Sequence, residues 1–375
     1  MILLLAALCV TANAEEQTDL VSLPPEYEQM LDALPDALRD SLPEQVFTAT
    51  DSEEVAAAWE GLLSPGTLFD LVMDKIADGW QGYLRLLLQL FGVLLIRAVW
   101  NCLATGVRSA GLASGMSLLC RLCLFGVIVT QAMWMLEGVV IFYQDLGTLT
   151  SAFLPLMSAM YVMGGNVGTA ATNQSTLVLG FSLVEWIGGK SVVPLFSLCL
   201  AFAMLGAFEA TVAGRMQILT SKLKKWYTTA MSLAMLLISG ALAAQTTLSA
   251  RADSLGFRTV RFAVSNNIPM VGGGVAEMLR TAATAVGWLR GVVGIGGIAL
   301  LLWLLLPQII SLLVSRLIYS LASDMAGWLG CSEEGRLLGE IGSLQGYLLA
   351  VISVSVMTFF FALVILLRCG TAFGG

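Results

Sequence analysis

The stretch RFAVSNNIPMVGGGVAEMLRTAATAVGWLRGVVGIGG, Arg261 to Gly297, is apolar and rich in glycine, is interrupted by Pro269, and sits among segments long enough to span a bilayer. A second stretch, FLPLMSAMYVMGGNVG from Phe153 to Gly168, echoes it. Pro155 precedes Gly164 and Gly165, Pro269 precedes Gly272, Gly273 and Gly274, and asparagines stand close by at Asn166, Asn266 and Asn267. Irregular backbone at membrane depth is tolerated only where protein or a water-filled cavity surrounds it. Both stretches are therefore expected to be broken or re-entrant segments, and the places to look for function.

The composition around them is that of a membrane protein. Of 375 residues 57% are hydrophobic and 12% charged, and the mean hydropathy is +0.84, far from a soluble globular domain. The net charge of −7 and the lack of any basic stripe argue against nucleic acid as a partner. With no histidine in the chain, an imidazole base, a histidine-containing triad and histidine-ligated metal sites are all excluded. Cys120 and Cys123 have CxxC spacing, but SLLCRLCLFGVIV reads as a membrane helix, so they are read as small apolar residues. Neither paired catalytic carboxylates nor a Ser-Lys motif can be placed, so no cofactor or catalytic residue is assigned and an enzyme is not expected.

The first residues, MILLLAALCVTANA, read as a signal peptide over 1–14, without the usual positive start. The next segment, 15–80, is acidic: 16 of the 26 carboxylates fall between Glu15 and Asp78, against Arg39 and Lys75. Leu31, Leu34, Leu38 and Leu42 recur at helical spacing between prolines, which predicts short amphipathic helices in a small extracytoplasmic region. A further helix is expected to begin at Ser64-Pro65, with serine as cap and proline at the first helical position. The multipass domain is taken as 81–369 and the tail as 370–375.

A spanning helix needs about 20 apolar residues, and six runs qualify: Tyr83 to Ala104, Ser117 to Leu136, Val192 to Val212, Thr228 to Leu248, Val292 to Val314 and Leu344 to Leu367. The fold class is thus all-α and polytopic, with six spanning helices and two broken segments. Arg97, Arg108 and Arg121 around the first loop, and Arg215, Lys222, Lys224 and Lys225 in the third, place both loops in the cytoplasm. This agrees with an exported amino terminus if each broken segment returns to the side it came from. Charges in or beside membrane segments are Arg85, Arg97, Arg121, Glu185, Glu209, Glu277, Arg280 and Arg290, and such residues usually face a bundle interior, a cavity or a partner. Glu277 and Arg280 admit two readings, a local ion pair or part of a polar path with Asn266, Asn267 and Asn173. Gly287, Gly291, Gly294 and Gly297 let another helix approach closely.

The order of these pieces resembles the stage III sporulation protein AE family of endospore-forming bacteria. The resemblance rests on FLPLM followed by MGGN, VVPLFSLCLAF, SKLKKW, and LSARADSLGFRTVRFAVSNNIPMVGGGVAEML with GVVGIGG and LLPQI after it. Its most specific part includes Asp253, Arg258, Arg261, Pro269 and Gly272. The resemblance implies a multipass component of the mother-cell membrane facing the forespore. Its partners would be the other stage III sporulation A-operon membrane proteins, a cytoplasmic ATPase and ring-forming proteins, in a channel or feeding complex. A self-sufficient secondary transporter with two broken-helix repeats is the alternative.

Overall fold

The computed structural model describes residues 25–48, 52–104, 110–163, 167–208, 210–267 and 272–367. Among them the regular structure is helix throughout. Four short helices, α1 (Pro25–Asp32), α2 (Asp36–Ser41), α3 (Gln45–Thr48) and α4 (Ser52–Leu62), precede seven longer ones. These are α5 (Pro65–Ala104), α6 (Ala110–Met163), α7 (Val167–Glu185), α8 (Val192–Phe208), α9 (Ala210–Asn267), α10 (Gly272–Trp328) and α11 (Ser332–Leu367). A π-helical turn, Trp186–Lys190, joins α7 to α8.

The expected all-α polytopic class holds, with 6 helices long and apolar enough to cross a membrane: Pro65–Leu103, Gly115–Met163, Val178–Phe208, Gly214–Gln245, Gly291–Trp328 and Ser332–Val364. The proposed signal peptide, the tail, Gly164, Gly165, Asn166 and Pro269 lie outside the described residues.

The proline punctuation of the amino-terminal region acts as expected. Pro35 stands at the start of α2, its carbonyl accepting from the Leu38 and Arg39 amides, and Leu31, Leu34, Leu38 and Leu42 are all buried. Ser64 caps α5, its hydroxyl accepting the Thr67 amide at 3.3 Å with Pro65 at the first helical position. Trp59, 1% exposed, anchors the short helices: its indole N–H donates to the Tyr27 hydroxyl at 2.9 Å. The ring lies over Gly296 of α10, where a Cβ would stand a tight 3.1 Å from it and the ring would have to give way. Trp303 of α10 donates to the Ser41 hydroxyl at 3.1 Å.

Three local expectations are corrected. Pro155 does not break its helix, because α6 continues through it to Met163. A proline in a helix interior costs about 3 kcal/mol, but Pro155 is exposed, and Ala152, Phe153, Leu156, Met157, Met160 and Tyr161 around it are buried and hold the turns in place. The basic cluster Arg215, Lys222, Lys224 and Lys225 is not a loop but the opening turns of α9, since these sit among strong helix formers and only residue 209 separates α8 from α9. The run Val192 to Val212 accordingly ends at Phe208. Near Pro269, α9 and α10 are continuous up to Asn267 and from Gly272. Helices α6 and α7 run antiparallel, Gly147 facing Glu185 and Tyr143 facing Gly188 and Gly189.

The contacts also set the apolar runs at two heights. Arg97 of α5, Arg121 of α6, the last carbonyls of α8 and Glu334 of α11 meet at one end of the bundle. The runs of α5, α6 and α8 begin at that end. Those of α9, α10 and α11 begin further on, with Thr228 about 27 Å from Ala210, Val314 about 21 Å from Trp328 and Leu344 about 15 Å from Glu334 at the helical rise. A hydrocarbon core is about 30 Å thick, so no single slab holds all six runs in full. At the further height the run of α10 is covered in part by α2 and α4, through Trp303 and Gly296.

Trp59→Ala should cost about 3–5 kcal/mol, as for a large buried aromatic, and open the 25–62 region to protease in the purified protein while α5–α11 stay protected. Burial lifts the Tyr27 phenol from 10.0 to about 12, against the lowering effect of the Trp59 hydrogen bond. The folded state therefore holds this proton more tightly than the unfolded chain. Tyr27's contribution is full below pH 10.0 and is lost as pH rises through about 12, which a proteolysis series across that window would read.

Candidate functional site

The charged end of the bundle is built from helix termini. Helix α10 closes with Gly330 in the left-handed region, φ 73, and the Cys331 amide reaches back to the Ala326 carbonyl at 2.8 Å while the Gly330 amide bonds Gly327 at 3.2 Å. This is a Schellman-type end, in which glycine at the left-handed position avoids the Cβ penalty. It turns the chain directly into α11, whose first turn carries Glu333 and Glu334. Carboxylates are favoured there by the helix dipole. Gly335 then lets α10 and α11 pack closely, since a Cβ would sit 3.1 Å from the Ser323 carbonyl.

Glu334 is the hub. Its side chain is 4% exposed, and Oε1 accepts from Arg97 Nε at 3.1 Å and faces Arg121 Nε at 3.8 Å. Arg121 also pairs with Glu333, which is half exposed, and donates from Nη1 to the Ala207 carbonyl at 3.0 Å. Arg336 donates to the Gly206 carbonyl at 2.9 Å. Both carbonyls belong to the last turn of α8, which has no helical N–H to satisfy them. One cluster thus ties α5, α6, α8 and α11 together and neutralises a helix end that would otherwise be left open. Beside it, Asn101 contacts Cys331 Sγ at 3.9 Å. Burial, and then the neighbouring Glu334 carboxylate, push the Cys331 thiol up, so it is a poor nucleophile at neutral pH.

Deeper in the bundle runs a seam of hydroxyls. Lys224 donates to the Ser343 hydroxyl at 2.9 Å, the Tyr227 and Tyr347 rings meet edge to face at 5.9 Å, and Tyr143 and Ser355 share a hydrogen bond of 2.6 Å. The seam is organised by the π-helical turn. Gly188 and Gly189 ease the underwinding, and Pro194 has no N–H to return to the Lys190 carbonyl. The turn presents the Ile187 carbonyl to the Tyr227 hydroxyl, and its glycines admit the Tyr143 ring. The Gln345 carbonyl oxygen and the Tyr347 hydroxyl are buried with no hydrogen-bond partner among the described residues.

Of the residues chosen from sequence, Pro155 stands on α6, Asp253, Arg258, Arg261, Asn266 and Asn267 on the last turns of α9, and Gly272, Gly273 and Glu277 on the first turns of α10. The side chains of the α9 and α10 group lie outside the described residues, as do Gly164, Gly165, Asn166 and Pro269 entirely. Arg97 and Arg121 were among the charges expected to face the interior, and they do. Glu333 and Glu334 were not singled out. A signal was present: two adjacent carboxylates open a helix after a glycine turn, in a chain with two arginines stranded in apolar runs.

A family model described as Stage III sporulation protein AE matches residues 54–370. The stage III sporulation protein AE of Bacillus subtilis (strain 168) is 21% identical over 394 residues, covering 98% of this chain and 97% of that protein. No solved structure matches.

Glu334→Gln leaves the largely buried Arg97 without its counter-charge and Arg121 with only the half-exposed Glu333, a loss of about 3–5 kcal/mol for breaking such a buried pair. Glu333→Gln, at the exposed side of the same cluster, should cost no more than about 1 kcal/mol. Thermal unfolding of the purified variants in detergent separates them. Equal melting temperatures for the two would remove Glu334 from its central place.

Proposed function

The chain belongs to the stage III sporulation protein AE family, and we propose that it is a structural subunit of the channel complex joining mother cell and forespore during endospore development. The observation that carries this reading is the division of its apolar runs between two heights. A protein whose apolar surface exceeds what one bilayer covers needs other protein around it, which favours a subunit over a self-sufficient transporter. Its partners in this reading are those of the family resemblance: the other A-operon membrane proteins, the cytoplasmic ATPase and the ring-forming proteins.

The charged end faces the mother-cell cytoplasm in this proposal. Arg97, Arg121, Arg215, Lys222, Lys225 and Arg336 all belong to that half, in keeping with the positive-inside rule. The amino-terminal helices and the long helices α6, α7, α9 and α10 then extend toward the forespore. The role is one of architecture, and it depends on the sequence of the α9–α10 connection around Pro269.

Isolation of the tagged full-length chain from sporulating cells should bring these partners with it, and liposomes holding the chain alone should show no solute flux. A substrate-dependent flux from the chain alone would overturn the subunit reading. Pro269→Ala and Gly272→Leu should lower spore yield while leaving membrane insertion intact, whereas normal sporulation in both variants would count against a role for that connection.

A further inference from the structure

Two exposed helix faces carry opposite charges at the same height. On α6 the stripe Gly126, Thr130, Met133, Trp134, Glu137 and Ile141 is exposed along its length, and Glu137 is a carboxylate in an apolar setting. On α9 the exposed stripe is Arg215, Ile218, Leu219, Lys222, Lys225 and Trp226, continued by Leu233, Leu236 and Leu237. Glu137, Arg215, Lys222 and Lys225 have no ion-pair partner among the described residues. Charges on an apolar surface next to lipid are expensive and are normally matched by a partner.

Height is set from the charged end, where Arg121 meets Ala207 and α9 starts at Ala210. At the helical rise Glu137 stands about 24 Å above it, and Lys222 and Lys225 about 18 and 23 Å. The two faces are not joined within the chain, since no ion pair links Glu137 to Lys222 or Lys225. Helix α6 packs against α1, α5, α7, α8 and α10, and α9 against α7, α8 and α11, with no substantial packing of α6 on α9. They are therefore two distinct, complementary patches on one copy, and such patches join copies head to tail.

We propose that α6 and α9 form the two halves of a self-association surface, with Glu137 of one copy set against Lys222 and Lys225 of the next. The apolar residues on both stripes flank the ion pairs, and the bare backbone at Gly126 allows close helix approach. This proposal stands apart from the channel reading, because copies joined head to tail would do so whatever the complex conducts.

The test is cross-linking of the full chain in membranes, in a background with the native cysteines replaced. Ile141→Cys and Thr229→Cys lie on the two faces at about 30 and 28 Å and leave the charges intact. With a short bis-maleimide the double variant should give a ladder of multiples of 39.9 kDa, and each single variant only monomer. Adding Glu137→Lys should abolish the ladder, and adding Lys222→Glu with Lys225→Glu to that variant should restore it. A second pair lower on the same faces, Thr130→Cys with Ile218→Cys, reads the same contact if the first fails to accumulate. Absence of a ladder from a pair that accumulates normally would overturn the proposal. So would a ladder from Ile141→Cys alone, which means two-fold pairing, or products of other sizes, which mean a different protein on these faces.

Discussion

Everything at one end of this molecule depends on a single carboxylate. Glu334 lies at the start of α11, where backbone amides and the helix dipole favour its charge, and it is buried between arginines from α5 and α6. Two guanidiniums brought into an apolar bundle need a counter-charge, and a buried carboxylate needs donors. Each makes the burial of the other possible. Because Arg121 and Arg336 also take the terminal carbonyls of α8, the cluster fixes the register of four helices at once. Charge pairing sets that register here, since apolar side chains alone would tolerate sliding along the helix axis.

From that fixed end the two heights of apolar surface follow by counting residues. The runs on α5, α6 and α8 start at the clamp, while those on α9, α10 and α11 start beyond a charged or polar stretch of each helix. The opening of α9 carries four basic residues, and the facing parts of α10 and α11 carry Arg316, Asp324 and Glu340. The acidic amino-terminal helices lie against the upper run of α10 through Trp59 and Trp303. A chain arranged in this way leaves apolar helix faces that one bilayer does not reach.

Much of the fold was legible in the sequence because its signals are local. Long apolar runs name membrane helices, Ser64-Pro65 names a helix start, and leucines at helical spacing name the buried face of the short amino-terminal helices. Pro155 misled because local chemistry favours a break there, whereas buried residues on both sides of it keep α6 continuous through an exposed proline. Gly287, Gly291, Gly294 and Gly297 were read as a site for helix backbone, yet Gly297 receives the side chains of Leu363 and Phe153, and Gly296 beside it, not singled out, receives Trp59. The clamp was the least legible element, since Arg97 and Glu334 are 237 residues apart and no periodicity connects them. Only the topology brings them together.

The most direct test of the account is the depth of two exposed leucines, read by spin labels at Leu122 and Leu237 in cysteine-free protein reconstituted in lipid nanodiscs. Leu122 adjoins the clamp and Leu237 stands about 40 Å from it at the helical rise, a separation greater than a hydrocarbon core of about 30 Å. The account predicts that no more than one of the two labels is shielded from aqueous relaxants and open to oxygen. If both labels report positions within the hydrocarbon, the two-height arrangement is contradicted and the six runs share one slab.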